Sequence, residues 1–160
     1  MSDDNKVNKY LTKEGLQKIK KELEERKGPI RRGIALAIKE AKEQGDLSEN
    51  AEYAEAKARE VENEKRISEL ESIFKNSVVV KRDSKSKKVG IGSVVRLVSD
   101  KNIERIFYIV GSDEADPTLN KISNESPIGS ALMHKMPGDK ISVEVPGGNI
   151  NYEILSVENK

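Results

Sequence analysis

The chain reads as an α+β protein: a long N-terminal antiparallel α-helical coiled-coil hairpin, then a small antiparallel-sheet domain with one short helix. Two contrasts between its halves predict this. Residues 1–80 hold 17 Lys/Arg and 17 Asp/Glu with a single proline, Pro29, whereas residues 81–160 hold the other 12 and 11 with four prolines and seven of the eleven glycines. Apolar residues recur at three-and-four spacing in the first half and alternate in the second, the periods of a helix face and a strand face. A chain of 160 residues suits one compact domain or two small ones. The expected division is 8–76 for the hairpin and 77–158 for the sheet domain.

The first seam runs Leu16, Ile19, Leu23, Ile30, Ala37 and Ala41, with Thr12 as its N-cap and Gly45 as its end. Gly28-Pro29 should kink or briefly break it. A second seam runs Ala51, Ala54, Ala58 and Val61, skips a step, and resumes at Ile67, Leu70 and Phe74. So few residues separate the two that they should fold back on each other. Alanines cluster near the turn, which allows close helix approach and a slim arm, although alanine is also simply a good helix former.

Strands are expected at Val78-Val80, Ser93-Val98, Arg105-Val110, Lys140-Val145 and Asn149-Val157, the last two joined through Pro146-Gly147-Gly148. Ser126 to Lys135 reads as a short helix capped by Ser126, and Lys81 to Lys88 as a basic loop.

Composition bounds the function. Charged residues make up 36% of the chain, yet the net charge is +1, so contact with a polyanion requires a local patch and strong autonomous DNA binding is not expected. The absence of Cys removes disulfides, thiolate metal sites and Cys nucleophiles, and one histidine, His134, rules out a multi-His centre. The polar first ten residues do not read as a signal peptide, and the longest apolar run, Ile106 to Val110, is far short of the ~20 residues a membrane helix needs. A cytoplasmic protein without membrane contact is the expectation.

The turn between the helices, Gly45-Asp46-Leu47-Ser48-Glu49-Asn50-Ala51-Glu52-Tyr53, carries the chemistry. Asp46-x-x-Glu49 has capping-box spacing, so both acids could simply begin the second helix. The same two carboxylates are too few to hold a cation alone, but they could complete the shell of a Mg²⁺ held weakly elsewhere. Spacing alone favours the cap.

This nine-residue string, with Thr12-x-x-Gly15 before it, resembles the GreA/GreB family of bacterial transcript cleavage factors, and is closest to its GreA members. Further matches follow in the family's order: Ile109-Val110-Gly111, Glu114-Ala115-Asp116, Ile122-Ser123, Ser126-Pro127-Ile128-Gly129, Ala131-Leu132, Gly138-Asp139 and Pro146-Gly147-Gly148. The resemblance implies a hairpin that enters the secondary channel of bacterial RNA polymerase and an FKBP-like second domain that docks at the channel entrance. It implies a non-enzymatic role, in which the factor stimulates the polymerase's own Mg²⁺-dependent cleavage of backtracked nascent RNA and rescues arrested complexes. By motif, Asp46 and Glu49 become the catalytic, metal-assisting pair, with the Mg²⁺ shared with the polymerase site. Ser48, Asn50 and Tyr53 become tip contacts to polymerase or RNA, and Lys42, Lys57 and Arg66 a basic patch for the RNA 3′ segment. Without the resemblance, those cations read as a solvated helix face.

Glu125-Ser126-Pro127 matches the docking motif, though it also reads as an N-cap followed by proline at the first helical position. A prolyl isomerase pocket is not expected from a half whose aromatics are only Phe107, Tyr108 and Tyr152. His134 reads as a surface variation. Two alternatives remain: a channel-binding inhibitor of the same architecture, which retention of Asp46 and Glu49 argues against, and a coiled-coil adaptor whose turn acids are only caps.

Overall fold

A computed structural model describes residues 9–45, 50–81 and 83–159. The chain divides into two compact units, Leu16–Asn76 on one side and Met1–Gly15 with Ser77–Lys160 on the other.

The helical unit contains most of α1 (Lys13–Glu25), a π-helical turn (Arg26–Ile30), α2 (Arg31–Glu43) and α3 (Ala51–Asn76). The break expected at Gly28-Pro29 is a π turn. Proline lacks an N–H and crowds the preceding turn, and the ladder reaches one residue further back, so that the Arg31 N–H donates to the Arg26 carbonyl. The extra residue rotates the buried face. Ile30, expected in the seam, is 40% exposed, while Ile34 is 5% exposed and takes its place. Cross-helix partners run in opposite senses, Arg31 with Glu64 and Lys27 with Glu71, so α3 packs antiparallel to its predecessors.

The second seam differs from the expected one over its first half. Ala51, Ala54, Ala58 and Val61 face solvent; the inward positions are Tyr53, Ala56, Glu60, Asn63, Ile67 and Leu70. These six keep strict three-and-four spacing, so no step is skipped. The register of Ile67 and Leu70 continues back toward the turn through two polar residues. Phe74 lies at the rim, 5.7 Å beneath the Lys20 ammonium, a cation–π distance.

The other unit is built on a five-stranded sheet of order β5-β4-β3-β7-β6, from β3 (Ser93–Ser99), β4 (Glu104–Val110), β5 (Lys121–Ser123), β6 (Lys140–Val145) and β7 (Gly148–Asn159). Helix α4 (Pro127–Leu132) contributes Leu132 to a core with Val95, Leu97, Ile109, Ile141, Val143 and Ile154. Most pairings are antiparallel, as expected, but β5 lies parallel to β4, so the sheet is mixed. A second small sheet pairs β1 (Lys9–Leu11) parallel to β2 (Ser77–Val79). Because β1 pairs there, the segment from residue 9 through Gly15 lies in the sheet-bearing unit.

Helix α4 stops at Leu132, short of the expected Lys135, because the chain beyond it turns to the backbone of Val89. His134 N–H donates to the Val89 carbonyl, and Val89 N–H donates to that of Lys135. His134 itself is exposed and adopts a left-handed φ of 65°. Among the described residues, no helix is long and apolar enough to cross a membrane.

Candidate functional site

Asp46, Ser48 and Glu49 lie outside the described residues; the two ends of the turn that carries them do not. Helix α2 closes with Gln44 N–H donating to the Ala41 carbonyl at 3.3 Å, and Gly45 follows with φ of 107°, a conformation that suits glycine after a helix end. On the other side α3 starts at Ala51, and Asn50 is its cap. The Asn50 carbonyl accepts the Ala54 N–H at 3.2 Å, and its side-chain Oδ1 accepts the Tyr53 N–H at 3.1 Å. That is the N-cap pattern, with the side chain serving the third helical residue. The capping-box reading of Asp46 and Glu49 therefore fails for α3: the helix starts four residues later than that reading requires, and another side chain does the capping.

The Asn50 amide performs a second task. Its Nδ2 donates to the Ala41 carbonyl at 2.7 Å, which joins the last turn of α2 to the first turn of α3. Ala41 is only 2% exposed and Ala56 4%, and these small residues let the two helices approach closely at this end. Tyr53, expected as a tip contact, is half-buried in the seam with its backbone held by Asn50.

Of the three cations expected to contact RNA, Lys57 and Arg66 are well separated along α3. Lys57 and Arg66 are nine positions apart on α3, about 14 Å along the axis. Arg66 grips Glu22 with two hydrogen bonds, Nε at 2.9 Å and Nη2 at 3.1 Å, and also reaches Glu69 at 3.5 Å. Its partner across the helices is thus Glu22. Glu22 also accepts from Arg26 at 2.8 Å, and Arg26 donates to Asn63 Oδ1 at 3.2 Å while the Asn63 Nδ2 donates back to the Arg26 carbonyl at 3.2 Å. Hydrogen bonding from Arg66, then from Arg26, together with their charges, outweighs partial burial and holds the Glu22 carboxyl below its usual range. Arg66 is correspondingly held more firmly protonated. Lys57 pairs with Glu60 at 2.5 Å, which raises its pKa. Among the described residues, Lys42 alone of the three forms no ion pair.

The docking-motif loop is a stiff corner. Ser126 Oγ accepts the Gly129 N–H at 3.0 Å and donates to the Ser123 carbonyl at 2.7 Å, and Pro127 occupies the first helical position. Glu125 accepts from Ser112 Oγ at 2.6 Å, and its N–H donates to Ser123 Oγ at 3.0 Å. Glu125 and Pro127 are exposed and Ser126 half-buried, so the corner presents an acid and a proline ring on a fixed backbone. Gly129 is required here: a Cβ on it would meet the Ser123 carbonyl oxygen at 1.9 Å.

A further constellation was not legible as one. Glu114 accepts from the Thr12 N–H at 2.9 Å and from Thr12 Oγ1 at 2.5 Å, while the same Oγ1 accepts the Gly15 N–H at 3.0 Å and so caps α1. A Cβ on Gly15 would strike the Glu114 carboxylate at 2.1 Å, and one on Gly111 the Tyr10 carbonyl oxygen at 1.8 Å. The separated motifs Thr12-x-x-Gly15, Gly111 and Glu114 are thus one contact, anchoring the start of α1 and strand β1. Spacing within either motif alone carries no signal of this.

Among the described residues, no group of three or more His, Cys, Asp or Glu side chains could hold a metal ion. Residues 9–79 match the family model "Transcription elongation factor, N-terminal", and residues 83–159 match "Transcription elongation factor, GreA/GreB, C-term". The transcription elongation factor GreA of Thermoanaerobacter pseudethanolicus is 49% identical over 149 residues, covering 92% of this chain and 95% of that protein. The GreA of Mycoplasmopsis pulmonis is 42% identical over 161 residues and covers both chains completely. Among solved structures, the GreA factor homolog Gfh1 of Thermus thermophilus aligns over 95% of this chain and 99% of its own, with 26% identity and a TM-score of 0.44. On two family models that together cover nearly all of it and on relatives of near-half identity, this chain belongs to the GreA/GreB family of transcription elongation factors.

Proposed function

We propose that this factor binds bacterial RNA polymerase through its secondary channel, with the hairpin turn leading, and stimulates the polymerase's own cleavage of backtracked RNA. In this reading the factor has no active site of its own. Asp46 and Glu49 together supply carboxylate oxygens to a Mg²⁺ that the polymerase site holds weakly, and a divalent ion there supplies charge stabilisation for RNA hydrolysis. The observation that supports this most is the cap. Asn50 serves the first turn of α3, so the two turn acids have no capping box to form on that helix. Two carboxylates in the turn between two helices suit a donor set that is incomplete until a partner completes it.

The docking corner supports the same reading: an acid and a proline fixed by Ser112, Ser123 and Ser126 form a rigid feature for a protein partner. RNA contact is assigned to Lys42 and to Lys57, whose exposed pair with Glu60 exchanges at little cost. Arg66 is a structural tie, committed to Glu22.

If the turn supplies ~4 kcal/mol of transition-state stabilisation, cleavage accelerates about a thousandfold. The test uses purified arrested elongation complexes. Asp46→Asn should remove stimulated cleavage while leaving polymerase affinity in a competition assay nearly unchanged. Parallel loss of both would instead favour an adaptor whose turn acids only hold the fold, and Pro127→Ala should weaken affinity without altering the cleavage rate at saturation.

A further inference from the structure

The Asn50 side chain spans the two helices on both of its functional ends. Its Oδ1 takes the Tyr53 N–H at 3.1 Å and its Nδ2 gives to the Ala41 carbonyl at 2.7 Å. The orientation of the amide is dictated by its partners, since one is a donor and the other an acceptor. Asparagine meets this double demand where other cap residues do not. Serine caps equally well but carries no amide to reach across. Aspartate caps but offers no donor, and would face a carbonyl with negative charge. Between the two bonded positions, 41 and 50, the sequence holds Asp46 and Glu49.

We propose that Asn50 is a positioning residue for the cleavage stimulated by this factor. Its bridge fixes the separation of the α2 and α3 ends from which the turn acids are presented, and it does not itself contact RNA, metal or polymerase. The assignment rests on the proposed cleavage role and deepens it. Groups that deliver charge to a reacting centre lose efficiency when displaced by an ångström, and Asn50 is a side chain that hydrogen-bonds directly across two helix ends joined by a seven-residue connection.

Asn50→Ser separates the bridge from the cap. In arrested complexes it should lower the maximal cleavage rate at saturating factor roughly tenfold, while the factor concentration at half-saturation and the melting of the helices stay near wild type. Asn50→Asp should behave likewise. An Asn50→Ser protein cleaving at the wild-type rate overturns the proposal. So does one whose half-saturation rises at unchanged maximal rate, which would make Asn50 a binding contact. Should the variants fold poorly, the wild-type factor gives a second reading. One Asn50 side-chain amide proton should exchange with solvent measurably more slowly than those of exposed asparagines such as Asn102, and equal exchange overturns the bridge. Wild-type factor that fails to stimulate cleavage at all would bring down the proposed function itself, whereas active wild type with fully active Asn50→Ser removes only this assignment.

Discussion

The two units reach order by opposite means. The sheet-bearing unit is organised around a dry apolar cluster in which Val95, Leu97, Ile109 and Leu132 are wholly buried. Among the described residues of the helical unit, Ile34, Ile67 and Leu70 are buried along a seam and not gathered into such a cluster. Midway along its seam stand Asn63, 3% exposed, with Arg26, Glu22 and Arg66 around it, and toward the turn the buried residues shrink to Ala41 and Ala56. A thin rod cannot remove much apolar area from water, so its alignment depends on directional polar contacts, which specify register more than they add stability. A compact sheet with a helix can rely on burial at roughly 25 cal/mol per Å². The arm should therefore respond to salt and pH, and the sheet unit to loss of volume.

The largest effect expected lies in the sheet unit. Leu97→Ala, at a fully buried site on β3, should cost about 2–5 kcal/mol through lost transfer energy and the cavity left behind, read from urea unfolding followed by strand-sensitive signals. Smaller and in the arm is Asn63→Ala, which strips a partner from the Arg26 guanidinium and carbonyl and should cost roughly 1–3 kcal/mol, read from helical circular dichroism on melting. Asn63→Leu sharpens the contrast. It should recover most of that stability while weakening register, seen as broadened amide resonances along α3, and a Leu variant as unstable as the Ala variant would show the polar node to be a net stabiliser.

The smallest effect is electrostatic. Hydrogen bonds from Arg66 and Arg26 hold the Glu22 carboxyl below its unfolded value. Its contribution is therefore complete above the unfolded pKa and is lost as pH falls through the folded one. Glu22→Gln should lower the melting of the helices by less than about 1 kcal/mol at neutral pH, since the pair is partly exposed. The gap from wild type should close as pH falls below the usual glutamate range and through the lowered folded value, and it should shrink in high salt. A gap that persists at low pH would assign the effect to packing.

Much of this was legible from residues alone: the two halves, the caps at Thr12 and Ser126, the hairpin between β6 and β7, and the glycine after α2. The misreadings have physical causes. Apolar spacing puts the first half of the α3 seam on Ala51, Ala54, Ala58 and Val61 because the true inward positions include Glu60 and Asn63, which carry no hydrophobic signal; Val61 is 66% exposed. An α-helical count puts Ile30 inward because it cannot anticipate the extra residue of a π turn. Strands β1 and β5, three residues each and both parallel-paired, are too short for a period to show. The spacing of Asp46 to Glu49 favours a capping box because it is a recognised pattern, whereas α3 is capped by Asn50, whose second bond, to Ala41, no local pattern encodes. The close contacts at Gly15 and Gly111 likewise join parts of the chain about a hundred residues apart.

The central claim is that the turn brings two carboxylates that the partner's catalytic site lacks. The most direct measurement is the maximal rate of RNA cleavage in an arrested complex saturated with the Asp46→Asn, Glu49→Gln double variant. The account predicts a fall to the rate of polymerase alone, with the variant still competing for polymerase as wild type does. Cleavage that continued at the wild-type stimulated rate would contradict it.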